Sequence, residues 1–311
     1  MSAHTRALLM LLAVSAIWGF ASPVIKITFP YFPPALFLTY RFAITILLLI
    51  PLTLYLEPKT LHQLKELSPN EAFLLFLSGF LGSTVQLGLL FWGLDLTTTL
   101  DGSVINATSP VFVAIAGIYF LKEKVTSREL LGLIVSFIGT LVIVIQPLLE
   151  GQKLFSGSVL GNFLVLAGTV SWVGYVVITK KQLKHKITPL VLTTNMFVVG
   201  FITMSIILFY LNTPSQITAY FQNASLTAHA CVVYMAYISG ALAYFLYQKA
   251  QKLIEVSEAN IVLYLAPVFT IPLSYFWLGE RITLPFAIGS LIIVAGVVLS
   301  EFRTARSHHV S

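Results

Sequence analysis

The sequence predicts an all-α, polytopic membrane protein with ten transmembrane helices in two inverted five-helix repeats. The first observation is composition, because 57% of the 311 residues are hydrophobic and only 10% are charged. Soluble domains carry about 25% charged residues. A soluble core cannot bury this much apolar surface, so lipid must be the main solvent. The other two observations are the spacing of apolar runs and an internal repeat.

Ten apolar runs of about 20 residues follow one another along the chain. Each is long enough to cross a hydrocarbon layer of about 30 Å as a helix. The predicted spans are 7–29, 34–56, 71–93, 99–121, 128–147, 157–179, 189–211, 227–248, 256–278 and 284–302. Helix-start signals support three of them: "SPNE" at 68–71, "TSRE" at 126–129 and "TP" at 188–189.

The internal repeat is clearest in a segment that occurs twice in similar form. "PVFVAIAGIYFLKEKVT" at 110–126 resembles "PVFTIPLSYFWLGERIT" at 267–283, at an offset of 157 residues (267 − 110). Glycine, proline and charged positions coincide, which a chance resemblance between apolar runs does not explain. We therefore predict two repeats of five helices, residues 1–150 and residues 151–311.

The distribution of lysine and arginine predicts the orientation. Five spans per repeat is an odd number, so the second repeat must be inverted relative to the first. With the N-terminus inside, fourteen of the eighteen cations fall in cytoplasmic segments, and the outer loops keep only Lys153 and Arg281. Both termini are therefore expected in the cytoplasm, with the chain in the cell (inner) membrane. The excess of basic over acidic residues is explained by membrane topology, so we expect no nucleic-acid partner.

Two prolines, Pro110 and Pro267, fall near the middle of their spans. Proline cannot donate the helical hydrogen bond, so the carbonyls of Asn106 and Leu263 should lose their partners. In lipid this is tolerated only where protein or a water-filled cavity satisfies them. A proline kink can be purely structural, but paired breaks in inverted repeats are typical of a transporter binding site. We predict that both prolines act as hinges.

At this point the sequence resembles the EamA-type family of the drug/metabolite transporter superfamily. The resemblance lies in "AIWGFASPVIK" at 16–26, "YRF" at 40–42 and the two proline segments, each followed by a Gly-x6-Gly helix. It implies ten helices in two inverted repeats and export or exchange of small metabolites, often amino acids. It also implies a central cavity between helices 1–4 and 6–9. One departure is that Trp18-Gly19 becomes Trp172-Val173 in the second repeat.

Polar and aromatic side chains at membrane depth are the candidate substrate-binding residues. Arg41 lies about 10 Å along the second span, where it can bind a substrate carboxylate. Alternatively it reaches the outer interface or pairs with Asp95 or Asp101. The other candidates can either line the cavity or connect helices: Trp18, Gln86, Asn106, Ser109, Trp172, Tyr175, Asn195, Tyr237, Asn260 and Tyr264.

Glycines seven residues apart mark one face of the fifth helix (Gly132, Gly139) and of the tenth (Gly289, Gly296). Small residues allow close helix packing, either within the chain or in a homodimer through helices 5 or 10. The remaining expected partners are a small-molecule substrate and the lipid bilayer, without a cofactor or a metal. A membrane-embedded enzyme or a channel are the alternative functions, but no intramembrane nucleophile–base pair is evident.

The acidic residues make a prediction about energy coupling. All twelve lie in loops or at helix ends, so we expect no buried carboxylate to relay protons. Transport should then be driven by the substrate's own gradient or by exchange. In proteoliposomes with a fixed substrate gradient, uptake should not change when a protonophore discharges the proton gradient. A collapse of uptake would contradict this expectation.

Overall fold

The computed structural model describes residues 1–97, 99–144, 148, 151, 158–184, 187–269 and 283–301. The described residues form an all-α bundle, which confirms the predicted fold class. The membrane helices, labelled in chain order, are α1 (Ala3–Thr28), α2 (Pro34–Leu56), α3 (Pro69–Leu96), α4 (Asp101–Leu121), α5 (Ser127–Val144), α6 (Val159–Lys184), α7 (Pro189–Leu211), α8 (Leu226–Gln251), α9 (Val256–Phe269) and α10 (Leu284–Glu301).

The helices agree with the predicted spans in number and order. Eight of those described are long and apolar enough to cross a membrane, and α9 and α10 are shorter apolar helices. The predicted span 256–278 continues beyond Phe269 into positions outside the described residues. Two short helices were not predicted: Thr60–Lys65, between α2 and α3, and Pro214–Asn223, between α7 and α8.

The predicted helix starts are confirmed by their hydrogen bonds. At the start of α3 the Ser68 hydroxyl accepts from the Glu71 N–H at 3.3 Å, and the Glu71 carboxylate accepts from the Ser68 N–H at 2.9 Å. This is the reciprocal capping box. At the start of α7 the Thr188 hydroxyl accepts from the Val191 N–H at 3.2 Å. These caps satisfy backbone donors that have no partner within the helix.

The bundle is built by pairing helices across the two repeats. α5 packs on α10, α2 on α7 and α4 on α9, while α1 packs on α8 as α6 packs on α3. Each of the first three pairs joins equivalent helices of the two repeats. In the last two pairs, the first helix of one repeat packs on the third helix of the other repeat. A two-fold relation between the repeats requires this arrangement. The core therefore lies between the repeats.

Glycines bring α5 and α10 into backbone contact. A Cβ atom on Gly139 would lie 2.7 Å from the Ile293 nitrogen and 2.8 Å from the Gly289 oxygen, and one on Gly132 would lie 2.6 Å from the Gly296 oxygen. The two helices are antiparallel, because the start of α5 meets the end of α10. The glycine faces are thus used within the chain. The predicted homodimer stays a prediction, and it would have to use the opposite faces of these helices, which are exposed and apolar.

Matching π-helical turns interrupt α3 and α8. They span Phe80–Val85 and Tyr237–Leu242, and both ends are offset by 157 residues (237 − 80 and 242 − 85). This is the offset found for the proline segments. Such turns are rare and often lie at functional sites. The repeat therefore extends to backbone irregularities that the sequence did not predict.

We predict that Gly139→Val lowers the stability of the protein. The added side chain has no room against the α10 backbone, so the helices must separate, and overpacking costs about 1–3 kcal/mol. The control is Ile138→Val on the exposed side of α5, which should have little effect. Thermal unfolding in detergent measures both variants. Equal melting temperatures for the two variants would show that the glycine contact does not stabilise the bundle.

Candidate functional site

The two broken helices meet at equivalent positions. The α-helical pattern of α4 is interrupted at Thr108 and that of α9 at Tyr264, shortly before Pro110 and Pro267. The Tyr264 hydroxyl donates to the Ala107 carbonyl at 2.9 Å, and these residues are 157 apart in sequence. The breaks therefore face each other at the junction of the repeats. The role of the prolines as hinges stays a prediction.

The carbonyl that receives this bond is one residue beyond the carbonyl that was expected to lose its helical partner. Proline removes the helical partner of the Asn106 carbonyl, but the tyrosine binds the next carbonyl along, that of Ala107. The reason lies in the turn before the proline. There the Thr108 N–H bonds three residues back, to Ile105 at 3.1 Å, so the helix tightens one residue earlier.

Side chains from the opposite repeat bind carbonyls at the π-helical turns. The Trp18 indole N–H of α1 donates to the Ser239 carbonyl of α8 at 3.2 Å. The Ser171 hydroxyl of α6 donates to the Leu81 carbonyl of α3 at 2.9 Å. Backbone carbonyls within a membrane need such partners. Trp18 thus connects the first repeat to an irregular turn in the second, and Ser171 does the reverse.

Six rings from four helices form what we call the central aromatic cluster: Trp18, Trp172, Tyr175, Phe197, Tyr244 and Tyr247. The two repeat-related tryptophans lie with ring centroids 5.9 Å apart, edge to face. Tyr244 is 5.3 Å from Trp18 and 5.7 Å from Phe197, and Tyr247 is 5.3 Å from Trp172. These separations are typical of favourable aromatic pairs. The cluster belongs to the hydrophobic core that both repeats share.

Three amide contacts extend the cluster into a polar network. The Asn260 side-chain amide of α9 donates to the Tyr247 hydroxyl at 3.0 Å. Its oxygen lies 3.5 Å from the Trp172 indole nitrogen. The Gln248 amide donates to the Tyr175 hydroxyl at 2.6 Å. The structure therefore brings four predicted site residues together: Trp18, Trp172, Tyr175 and Asn260.

Arg41 is buried beside this cluster, close to Tyr244. It is 2% exposed, and its Nε has no hydrogen-bond partner among the described residues. No ion pair joins it to an acid in the part of the chain that the structure describes. The alternatives for Arg41, in which its side chain reaches the outer interface or pairs with Asp95 or Asp101, are therefore wrong. A buried charge without a partner is costly, and an anion bound beside the guanidinium would lower that cost.

Asn195 occupies the position equivalent to Arg41 in the second repeat (195 − 41 = 154). Its amide donates to the Leu75 carbonyl of α3 at 2.7 Å, and its nitrogen would be 2.8 Å from a Cβ atom on Gly79. This contact connects two helices and uses the amide donor. The observed geometry is that of a structural hydrogen bond between helices.

The remaining candidates lie outside the central aromatic cluster. Asn106 is exposed and Ser109 half-buried, and neither side chain hydrogen-bonds to another described residue. Tyr237 begins the π-helical turn of α8 and is half-buried. Gln86 follows the equivalent turn of α3 and is buried, and its side-chain oxygen has no partner among the described residues.

One acidic residue contradicts the expectation of no buried carboxylate. Asp101 is fully buried, and it accepts a hydrogen bond from the Asn162 amide at 3.3 Å. It does lie at a helix end, as predicted. It is nevertheless buried, because α6 packs over the start of α4. Position at a helix end therefore did not imply contact with water.

Glu123, in the first of the two matching proline segments, caps a helix of the other repeat. Its carboxylate accepts from the Val256 N–H at 2.7 Å and from the N–H and hydroxyl of Ser257 at 3.1 and 2.8 Å. A carboxylate at a helix start is favoured by the exposed N–H groups. Burial and the carboxylates of Glu123 and Glu129 raise the pKa of Glu255 in the adjoining loop. The equivalent Glu280 lies outside the described residues.

A stripe of side chains on one face of α8 was not predicted as a unit. Tyr244, Tyr247, Gln248 and Gln251 have the spacing i, i+3, i+4, i+7, which places them on one helix face. All four are buried. We call this set the α8 stripe. The spacing was visible in the sequence and could have identified it.

Comparison with known proteins gives the same fold and a family. One crystal structure matches with a TM-score of 0.77 and 16% identity, covering 95% of this chain and 98% of that one. An uncharacterized transporter of Bacillus subtilis (strain 168), YyaM, is 26% identical over 298 residues, 96% of this chain and 94% of its own. A probable amino-acid metabolite efflux pump of Salmonella typhimurium is 25% identical, covering 95% of this chain and 96% of its own.

The family model described as the EamA-like transporter family matches twice, at residues 5–145 and 159–302. The two matches together cover most of the chain, and they follow the ten-helix repeat architecture described above. The similar proteins are named as transporters, not as enzymes. The chain belongs to the EamA-like transporter family and is a multi-pass membrane transporter.

Proposed function

We propose that the protein exports small amphipathic metabolites, amino acids first among them, across the cell (inner) membrane by alternating access. The observation that carries this proposal is Arg41, a buried guanidinium without a counter-ion beside the central aromatic cluster. Arginine recognises carboxylates with two parallel hydrogen bonds. The adjoining rings offer apolar faces for the rest of the solute.

Alternating access is supported by the contacts between the repeats. The rings pack against one another in the core shared by the repeats, so binding of a solute among them requires the helices around them to separate. Breaks in α4 and α9 provide places where backbone angles can change, and Pro110 and Pro267 are the proposed hinges. Rocking of one repeat against the other would open one side of the membrane at a time.

The proposed orientation places both termini in the cytoplasm. In that orientation the contacts around the start of α9 lie on the cytoplasmic side. They are the Glu123 cap and a 2.8 Å hydrogen bond between His4 and Glu258. Both connect the first repeat to the second. These contacts would hold the cytoplasmic mouth closed and would have to break when it opens.

The export of amino acids is supported by one relative. The similar protein of Salmonella typhimurium is named a probable amino-acid metabolite efflux pump, and a carboxylate is the group that Arg41 suits. At 25% identity the name supports a solute class and no particular amino acid.

We predict that Arg41→Ala selectively impairs transport of solutes with a carboxylate. A charge-assisted hydrogen bond contributes about 1.5–3 kcal/mol, so kcat/KM for these solutes should fall about tenfold to a hundredfold. Neutral solutes should be affected little. Counterflow of a mixed metabolite library in proteoliposomes measures both classes.

The matched control is Arg41→Lys, which keeps the charge but loses the paired geometry. It should retain part of the carboxylate transport. An equal loss for charged and neutral solutes in Arg41→Ala would assign Arg41 a structural role and contradict the proposal.

A further inference from the structure

We propose that Gln248 and Gln251 of the α8 stripe form the subsite for the amino group of the transported solute. This inference rests on the proposed function, and it adds recognition of the amino group to recognition of the carboxylate. Both side chains are 0% exposed. The Gln248 oxygen has no hydrogen-bond partner among the described residues, and the same holds for both side-chain polar atoms of Gln251.

The Gln248 side-chain oxygen, which lacks a partner, limits the kind of group that can bind there. The Gln248 nitrogen is already used, since it donates to the Tyr175 hydroxyl at 2.6 Å. The remaining group is a carbonyl oxygen, which accepts hydrogen bonds and cannot donate them. Its partner must therefore be an N–H or O–H donor. Gln251 lies beside the Tyr247 hydroxyl, without a hydrogen bond of normal geometry, and offers a second acceptor.

Buried polar atoms without partners need a reason, because most buried polar groups in proteins are hydrogen-bonded. The repeat shows that packing does not require polar residues here. Subtracting the offset of 157 from positions 244, 247, 248 and 251 gives 87, 90, 91 and 94. The residues at those positions of α3 are Leu87, Leu90, Phe91 and Leu94. The first repeat thus fills the same helix face with apolar side chains alone.

The glutamines lie near the proposed carboxylate site, as an amino acid requires, because it carries its ammonium and carboxylate groups on one carbon atom. Gln248 lies one helical turn from Tyr244, about 6 Å along the axis and on the same helix face, and Tyr244 is a close neighbour of Arg41. The guanidinium and the amide oxygen therefore lie on the same side of the central aromatic cluster, next to Tyr244. A carboxylate would bind at Arg41 and an ammonium group at Gln248.

The test compares three probes that share one apolar side chain and differ in their charged groups. L-Leucine has both groups, 4-methylpentanoate lacks the amino group, and 3-methylbutylamine lacks the carboxylate. Their dissociation constants are measured by intrinsic tryptophan fluorescence of the full-length protein in detergent. Gln248→Leu should weaken leucine binding about tenfold. Binding of 4-methylpentanoate should stay within about twofold, because it never contacts the glutamines.

Gln182→Leu is the matched control. Gln182 is also buried, at 6% exposed, and both of its side-chain polar atoms also lack partners among the described residues. It lies near the end of α6, seven residues beyond Tyr175 and so about 10 Å along the helix. This variant should leave the ratio of leucine to 4-methylpentanoate binding unchanged. Should Gln248→Leu not fold, Gln248→Glu keeps acceptor oxygens and should retain the preference for leucine.

Each outcome decides between the two proposals. If Gln248→Leu weakens leucine and 4-methylpentanoate equally, or if Gln248→Glu loses the preference, the inference is overturned while recognition at Arg41 stands. If the wild type binds 4-methylpentanoate as tightly as leucine, there is no amino-group subsite. If the wild type binds none of the three probes, amino acid transport itself fails as the proposed function.

Discussion

The structure depends on one constraint: inside a membrane every backbone polar group must find its partner within the protein. This chain breaks two helices and distorts two more at equivalent positions of its repeats. It satisfies carbonyls at those places with side chains from the other repeat. Tyr264 binds the Ala107 carbonyl, and Trp18 binds the Ser239 carbonyl. The irregular backbone is therefore stable only while the two repeats face each other.

A symmetric framework carries an asymmetric site. The tryptophans, the π-helical turns and the glycine contacts between α5 and α10 follow the repeat. Arg41 and Asn195 do not, since one is a buried charge without a partner among the described residues and the other is bound to a carbonyl of α3. The α8 stripe likewise has apolar counterparts in α3. Packing explains what the repeats share, and the groups proposed to bind the solute are among the differences between them.

Much of the fold could be predicted from sequence because its signals are local. Apolar length identifies the membrane helices, and Ser68 with Glu71 marks a helix start through its own hydrogen bonds. The π-helical turns could not be predicted, because their partners, Trp18 and Ser171, belong to the other repeat. The burial of Asp101 and the isolation of Arg41 depend on packing between distant helices. Sequence identifies such residues as candidates, and only the structure shows which are partnered.

The most direct test of inverted repeats facing each other uses two equivalent positions. Lys124 and Arg281 are 157 residues apart (281 − 124) and follow α4 and α9 in their repeats. Single cysteines at these positions, in a Cys231→Ser background, are labelled with a membrane-impermeant maleimide in oriented vesicles. Position 124 should react only from the cytoplasmic side and position 281 only from the opposite side. Labelling of both from the same side would contradict the inversion and the alternating-access mechanism built on it.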